Sequence, residues 1–284
     1  MRAPSEDLFR LVKAMNKGEK RNFKLLAGML TGDKKYIELF DQIDKQTEYD
    51  EAKILKAGIS KGQLSVAKNY LFKFLLKSLV YQRSDSYSES VQMIEQVRIL
   101  MAKHLYKEAG KLFKKVLTMV QKLEAFGLYL ELLDLQERLV MVTRKRGDIP
   151  TALAAICLER EKVIQEVQYI HELTQLHHKV KLLNSRRLRE MDEGEARWVQ
   201  ELLGHAVLTK GEPDNSVRAK VIYLKILRKL YSYKNDSTQA AVYCMRLLEV
   251  YQSSEPILES ELGDYFLELS NLCTYHFRSG NTEK

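Results

Sequence analysis

The chain has 284 residues, of which 45% are hydrophobic and 30% charged, with only 13 Gly and 4 Pro. This composition excludes collagen-like, disulfide-scaffold and wholly disordered proteins, and the scarcity of turn-forming residues disfavours a large β protein. The net charge of +8 is concentrated at the start, because residues 1–85 hold 17 Lys and Arg against 11 Asp and Glu. Such a basic segment suits nucleic acid, anionic lipid or an acidic protein equally well.

The first 85 residues are predicted to form five helices, the last beginning at Ser65. This last helix, SVAKNYLFKFLLKSLVYQ, has an apolar stripe formed by Val66, Tyr70, Leu71, Phe74, Leu75 and Leu79. Lys68, Lys73 and Lys77 lie off the stripe, so we expect them on the solvent side. The polar stretch 83–88 is the predicted linker, which divides the chain into a basic helical region, 1–85, and a second region, 86–284.

From residue 86 onward the helices lengthen and show a repeat of 44 residues, marked by Asp148, Asp192 and Asp236. Each aspartate is predicted to be a helix N-cap, since its carboxylate can accept from the free N–H groups of the first turn. Small residues that would allow close helix packing follow four residues later, at Ala152, Ala196 and Ala240.

Each period is therefore predicted to be an antiparallel helix pair. First helices are expected at 86–103, 125–146, 168–190, 215–233 and 257–278. Second helices are expected at 105–123, 149–166, 193–209 and 237–252. The junction at 166–169 has no Gly or Pro. The last pair lacks its second helix, which suggests that the 284 residues are part of a longer protein.

The second helices, such as DIPTALAAICLE and DSTQAAVYCMRLLEVY, resemble those of tetratricopeptide repeats. The period is longer than the usual value of about 34, and the Trp-Leu-Gly-Tyr signature is missing. The resemblance implies an all-α fold, a tetratricopeptide-like α-solenoid of period about 44. The segments KGEKRNFKLLA, GDKKYIELFDQIDKQ, YDEAKILK and SVAKNYLFKFLLKSL resemble an uncharacterised helical-repeat family of Bacteroidota. That resemblance implies a bacterial cytoplasmic protein and no particular activity.

Neither a catalytic motif nor a metal or cofactor motif is present in the sequence. His171, His177 and His178 fall on one predicted helix, but HExxH and the Glu-x-x-His pattern of di-iron bundles are absent. Cys157, Cys244 and Cys273 form no CxxC pair and suit thiols in a reducing compartment. No apolar stretch has signal-peptide or membrane-spanning length. We therefore expect a cytoplasmic protein that is not an enzyme, uses no metal or cofactor and makes no membrane contact.

Two kinds of residue on the first helices are candidates for binding a partner. Cations at their ends would form a basic ridge for an acidic partner, although the helix dipole favours cations there in any protein. Tyrosines on the same helices would line a groove on the concave face. The candidates are Tyr129, Arg138, Arg144, Arg146, Tyr169, Arg186, Arg187, Arg189, Tyr223 and Arg228.

The sequence thus predicts a non-catalytic adaptor or scaffold that holds a protein or peptide on the concave face of the array. The alternative is a nucleic-acid-binding regulator in which the helix from Ser65 serves as a recognition helix and the repeat senses a peptide. Its contacts would be Lys68, Asn69, Lys73 and Lys77. No β-hairpin wing accompanies that helix, and a lysine-rich solvent face is the ordinary alternative explanation.

Overall fold

The structure is a computed structural model that describes residues 5–29, 35–56, 61–182 and 192–278. Over these ranges the chain is helical, with turns between the helices and no β-strand. No helix in the described ranges is both long enough and apolar enough to cross a membrane. The chain divides into two compact units, 1–85 and 86–284.

The first unit contains five described helices packed around aromatic side chains. They are Ser5–Ala14 (α1), Lys17–Met29 (α2), Lys35–Lys45 (α3), Glu51–Lys56 (α4) and Lys61–Gln82 (α5). Helix α5 packs against α1, α2 and α3. At the centre, the ring of Phe23 lies 4.6 Å from that of Phe40 and 5.5 Å from that of Phe74, measured between centroids. The fourth helix begins after Asp50, whose carboxylate accepts from the backbone N–H groups of Ala52 and Lys53.

The core-facing side of α5 differs from the predicted stripe. Leu71 and Leu75 are buried as expected, but Val66 and Tyr70 are exposed. Lys68 is only 6% exposed, so the expectation that it faces solvent is wrong. Apolar residues surround most of this helix, and its periodicity therefore does not decide which side meets the core.

The second unit contains ten described helices. They are Ser86–Ala102 (α6), Tyr106–Lys122 (α7), Phe126–Thr143 (α8), Ile149–Leu182 (α9), Glu193–Leu203 (α10), Ala206–Thr209 (α11), Val217–Tyr233 (α12), Ser237–Ser253 (α13), Glu255–Ser260 (α14) and Leu262–Arg278 (α15). Helices α6 to α9 pack in chain order, then α12 packs on α9, α13 on α12 and α15 on α13. Neighbouring helices thus share two large cores, one around α7 and α8 and the other around α12, and a smaller core between α13 and α15.

Three turns in this unit have the same construction. His104, Glu124 and Asn235 adopt positive φ angles of 60°, 47° and 57° between successive helices. The N–H group of the next residue bonds back to a carbonyl five residues earlier, as in Leu105 to Leu100. This is the Schellman arrangement that ends a helix and reverses the chain.

The helices predicted separately at 149–166 and 168–190 form a single helix over the described part of this segment, so the predicted break between them is wrong. Helix α9 runs without a break from Ile149 to Leu182. The segment 166–169 has no Gly or Pro, and buried residues continue on both sides of it, at Val163 and Leu173. Nothing in the backbone chemistry therefore ends the helix there.

The aspartate prediction is confirmed at two of the three positions. Asp192 forms a capping box with Glu195, and the Asp236 carboxylate accepts from the N–H group of Gln239. Helix α9 begins directly after Asp148. The alanines do not share one packing role, because Ala240 is fully buried, Ala152 is half-buried and Ala196 is exposed. The alanines therefore do not mark one repeated packing position.

Candidate functional site

Four tyrosines of the second unit lie close together on three packed helices. Tyr169 comes from α9, Tyr223 and Tyr231 come from α12, and Tyr243 comes from α13. The rings of Tyr231 and Tyr243 are stacked, with centroids 5.3 Å apart and planes inclined by 22°. Tyr223 is 9% exposed, whereas the other three are half-buried. We call these four residues the tyrosine cluster.

Three of the four tyrosine hydroxyls have a raised pKa. Burial raises the pKa of Tyr223 and Tyr243, and neighbouring tyrosines add to the effect in both cases. Burial is also the main cause of the raised pKa of Tyr169, and the negative charges of Glu166 and Glu172 raise it further. A protonated phenol can donate and accept a hydrogen bond, so the cluster combines apolar rings with polar groups suited to a peptide.

Three cations border the tyrosine cluster. Lys210 lies 5.6 Å from the ring centroid of Tyr169, Lys234 lies 5.9 Å from that of Tyr231, and Arg246 lies 5.8 Å from that of Tyr243. These distances allow cation–π attraction.

The three cations differ in their other partners. Glu212 binds Arg246 and also lies 2.9 Å from Lys220. Lys210 and Lys234 form no ion pair with any carboxylate in the described ranges, and both are exposed. Their positive charge is therefore available to an acidic group.

The tyrosine cluster contains two of the predicted partner-binding residues, Tyr169 and Tyr223. Sequence reasoning considered the first helix of each pair and therefore missed Tyr243 and Arg246 on α13. Their positions, three residues apart on one amphipathic helix, are the only local signal of this surface.

Tyr129 does not belong to this surface, and its predicted role in a groove is wrong. It is 9% exposed and packs in the core around α7 and α8. Its hydroxyl accepts from the side-chain amide of Gln121 at 2.8 Å and donates to Glu159 at 2.7 Å. Both hydrogen-bonding functions of the hydroxyl are satisfied within the unit.

The predicted basic ridge is also corrected at Arg228. Its side chain is 11% exposed and binds Glu268 at 2.9 Å and the hydroxyl of Tyr275 at 3.1 Å. Arg138, Arg144 and Arg146 are exposed on and after α8. Arg186, Arg187 and Arg189 lie outside the described residues. Among the candidate arginines, those that are described and exposed therefore all lie on α8 or directly after it.

The first unit has a separate candidate surface on α5. Lys73 and Lys77 are exposed, Asn69 is half-buried and Lys68 is buried. Helical geometry places both exposed lysines on one side with four large exposed residues. The resulting α5 face consists of Val66, Tyr70, Lys73, Lys77, Val80 and Tyr81. Helix α5 contains no Asp or Glu, so nothing on the helix itself neutralises this face.

A second basic surface of this unit lies on α2. It is an open depression of about 450 Å³ lined by Leu25 and four cations. Lys20 binds Asp44 at 2.6 Å and Lys24 binds Asp41 at 2.7 Å, which neutralises half of these cations. The α5 face, with two lysines and two exposed tyrosines, has the more suitable chemistry for stacking on bases.

Within the described ranges, no three His, Cys, Asp or Glu side chains converge as a metal site requires. No family model, curated protein or solved structure matches the chain.

Proposed function

We propose that the protein is a non-catalytic adaptor that binds a protein or peptide segment at the tyrosine cluster. The observation that supports this most directly is the stacked pair Tyr231 and Tyr243, with Arg246 at 5.8 Å from one ring. Aromatic and arginine side chains are the residues that contribute most of the binding energy in protein interfaces. Their rings would bury an apolar side chain of the partner.

The same surface supports a partner with acidic groups. Lys210 and Lys234 flank the rings, and neither has a carboxylate partner in the described part of the chain. A partner carboxylate would lie beside either ammonium group while an apolar side chain covers the tyrosines. The cations would set the register and speed association, and the rings would supply affinity.

We place this surface on the concave side of a tetratricopeptide-like array. The packing order of the helices supports that proposal, because α9 packs on α8, α12 on α9, α13 on α12 and α15 on α13. Arrays of stacked helices bind partners along an extended inner surface.

The adaptor proposal predicts which substitutions abolish partner capture. The natural chain is used to capture proteins from nuclease-treated host lysate. The double variant Tyr231→Ser with Tyr243→Ser should no longer capture the partner that the natural chain retains. Truncating two central aromatic residues typically costs about 2 kcal/mol or more, which is roughly 30-fold in affinity. Retained proteins are identified and quantified by mass spectrometry, and circular dichroism verifies that each variant is folded.

Matched controls separate binding from folding. Tyr87→Ser changes an exposed tyrosine on α6 of the same unit and should leave capture unchanged. Lys210→Glu with Lys234→Glu changes only exposed side chains and should also abolish capture, whereas Lys111→Glu on α7 should not. Capture that survives both the tyrosine and the lysine variants would disprove this assignment.

A second candidate function is nucleic-acid binding by the α5 face. The supporting observation is a helix without acidic residues that exposes Lys73, Lys77, Tyr70 and Tyr81 together. Lysines would neutralise phosphates, and the tyrosines would stack on unpaired bases. Lys68 takes no part in this proposal, because it is buried.

This candidate predicts a specific salt dependence. Binding of a fluorescent single-stranded oligonucleotide is measured between low and physiological salt. Lys73→Glu with Lys77→Glu should weaken binding and reduce the slope of log affinity against log salt by roughly 0.7 per lost phosphate contact. Lys111→Glu is the control of equal charge change. An unchanged slope in the double variant would exclude the α5 face.

A further inference from the structure

The solvent side of α7 carries a stripe of lysines. The opposite side is buried in the core around α7 and α8, through Ala109, Phe113, Val116 and Val120. At 100° per residue, five exposed lysines fall within an arc of about 100° that faces away from that core. At 1.5 Å per residue, the stripe is about 22 Å long. We call Lys107, Lys111, Lys114, Lys115 and Lys122 the α7 lysine stripe.

The charge of the α7 lysine stripe is not neutralised by the described part of the chain. None of its five lysines forms an ion pair with a carboxylate in those ranges, whereas Lys162 on α9 lies 3.6 Å from Glu159. Helix α7 holds five Lys against one Glu. The remainder of 86–284 holds 24 Lys and Arg against 26 Asp and Glu. The net positive charge of this part of the sequence therefore resides on α7.

The α7 lysine stripe does not stabilise the helix that carries it. Lys111 lies four residues from both Lys107 and Lys115, so like charges occupy neighbouring turns. Such pairs destabilise a helix, whereas a Glu four residues before a Lys would stabilise it. The helix dipole favours cations only in the last turn, where the stripe has Lys122 alone. These features are typical of a surface that binds an anionic partner.

The composition of the stripe distinguishes between the candidate anionic partners. Between its lysines the exposed side carries Thr118, and the stripe has no Arg, aromatic or apolar side chain. Protein interfaces are enriched in aromatic residues and Arg and depleted in Lys, so a folded protein fits poorly. Single-stranded nucleic acid binds by stacking on aromatic rings, which the stripe lacks. Duplex DNA is read by Arg and Asn on a helix in the major groove, and α7 contains neither.

We propose that the α7 lysine stripe attaches the protein to a membrane surface that contains anionic lipids. A lysine ammonium is a compact point charge that binds phosphate without a fixed geometry. Lipid headgroups move laterally and can therefore match the spacing of any row of cations. Helices α6 and α8 contact each other as well as α7, so α7 covers one side of that pair. A flat leaflet can then meet the straight stripe along its whole length.

This attachment is peripheral and purely electrostatic. The expectation of no membrane contact was based on the lengths of apolar stretches, which such adsorption does not require. Each lysine near an anionic leaflet strengthens binding about fivefold, so the stripe as a whole contributes on the order of 1,000-fold. Salt screens the attraction, and the binding is therefore reversible. The inference is independent of the adaptor proposal, because the tyrosine cluster lies on α9, α12 and α13.

The first test measures co-sedimentation of the full chain with vesicles of phosphatidylcholine, alone or with about 30% phosphatidylglycerol, at about 100 mM salt. We expect binding to the anionic vesicles only. Lys111→Gln with Lys115→Gln removes two exposed charges and should weaken binding about 25-fold. The matched control, Lys73→Gln with Lys77→Gln on α5, also removes two exposed charges and should bind normally. A natural chain that does not bind, equal binding to neutral vesicles, or an equal loss in the control overturns the proposal.

The same double variant distinguishes a membrane from other polyanions. Fluorescent single-stranded and double-stranded oligonucleotides and poly-glutamate are titrated with the natural chain and with Lys111→Gln, Lys115→Gln. We expect any binding of these probes to be the same for both chains. A variant that loses binding of an oligonucleotide or of poly-glutamate, while it binds anionic vesicles as the natural chain does, overturns the choice of a membrane.

Lysine footprinting identifies the attached surface without any substitution. The natural chain is labelled briefly with a limiting amount of an acetylating reagent, with and without anionic vesicles, and each lysine is quantified by mass spectrometry. The lysines of the α7 stripe should be protected by the vesicles. Lys162, Lys210 and Lys234 should react as they do in the free protein. Protection of those three lysines, or of Lys73 and Lys77, in place of the stripe overturns the proposal.

Discussion

Glu268→Ala is expected to destabilise the second unit by about 3–5 kcal/mol, because it removes one partner of a buried ion pair. The side chains of Arg228 and Glu268 are 11% and 3% exposed, and their charged groups lie 2.9 Å apart. The Glu268 carboxylate also accepts from the side-chain amide of Asn271 at 3.2 Å. Its backbone carbonyl accepts from the thiol of Cys244 at 3.2 Å. Without the carboxylate, the guanidinium would be buried and uncompensated.

Burial beside this ion pair also perturbs the neighbouring thiol. It raises the pKa of Cys244 to about 12, and the charge of Glu268 adds to that increase. The Nε atom of Arg228 is already buried without a hydrogen-bond partner. The site therefore has no spare acceptor that could replace Glu268.

The stability of this unit can be followed through the only tryptophan of the chain, Trp198 on α10. Urea unfolding monitored by its fluorescence should shift to lower concentration in Glu268→Ala. The double variant Arg228→Met with Glu268→Leu removes both charges and should recover most of the lost stability. A double variant as unstable as Glu268→Ala would show that packing volume, not the unpaired charge, causes the loss.

The features that sequence reasoning predicted correctly are those set by neighbouring residues. An N-cap depends on one side chain and the three N–H groups that follow, and Asp192 and Asp236 were identified on that basis. Helix type and most helix boundaries likewise follow from local apolar periodicity. Sequence reasoning divided α9 into two helices wrongly, because only the absence of a helix-ending residue such as Gly or Pro indicates that the helix continues.

Contacts between distant residues could not be predicted from the same patterns. The carboxylate of Glu124, in the turn after α7, accepts from the N–H groups of Val217 and Arg218 and from the hydroxyl of Ser216. It thereby caps α12, although the two segments are more than 90 residues apart in sequence. In the sequence, Glu124 cannot be distinguished from a surface glutamate.

Charged residues on amphipathic helices were the main source of error in the candidate site. Arg228 lies in the second half of α12, where the helix dipole alone would explain a cation. Its ion-pair partner, Glu268, lies on α15, 40 residues later. The tyrosine cluster was found in part, because Tyr169 and Tyr223 are on the helices that were considered. Its completion by Tyr243 depends on how α13 packs against α12.

Lys68→Glu is expected to destabilise the first unit by about 2–4 kcal/mol, although the lysine was predicted to face solvent. Its ammonium lies 2.5 Å from the Glu51 carboxylate and 5.3 Å from the ring centroid of Tyr49. Burial acts to lower the pKa of Lys68, but Glu51 and Tyr49 outweigh it and raise that pKa. A glutamate here would place two carboxylates together beside the core. The Glu51 side chain remains 41% exposed, which keeps the expected loss below that for a fully buried pair.

The matched control is Lys73→Glu on the same helix, which reverses an exposed charge and should change stability by less than about 0.5 kcal/mol. Amide hydrogen exchange of α4 and α5 measures the first unit directly, and Trp198 fluorescence should report an unchanged second unit. Equal exchange in the two variants would mean that Lys68 is not part of the folded core. If Lys68→Glu alone opens α4 and α5, loss of nucleic-acid binding in that variant reflects unfolding, and only Lys73 and Lys77 can test the α5 face.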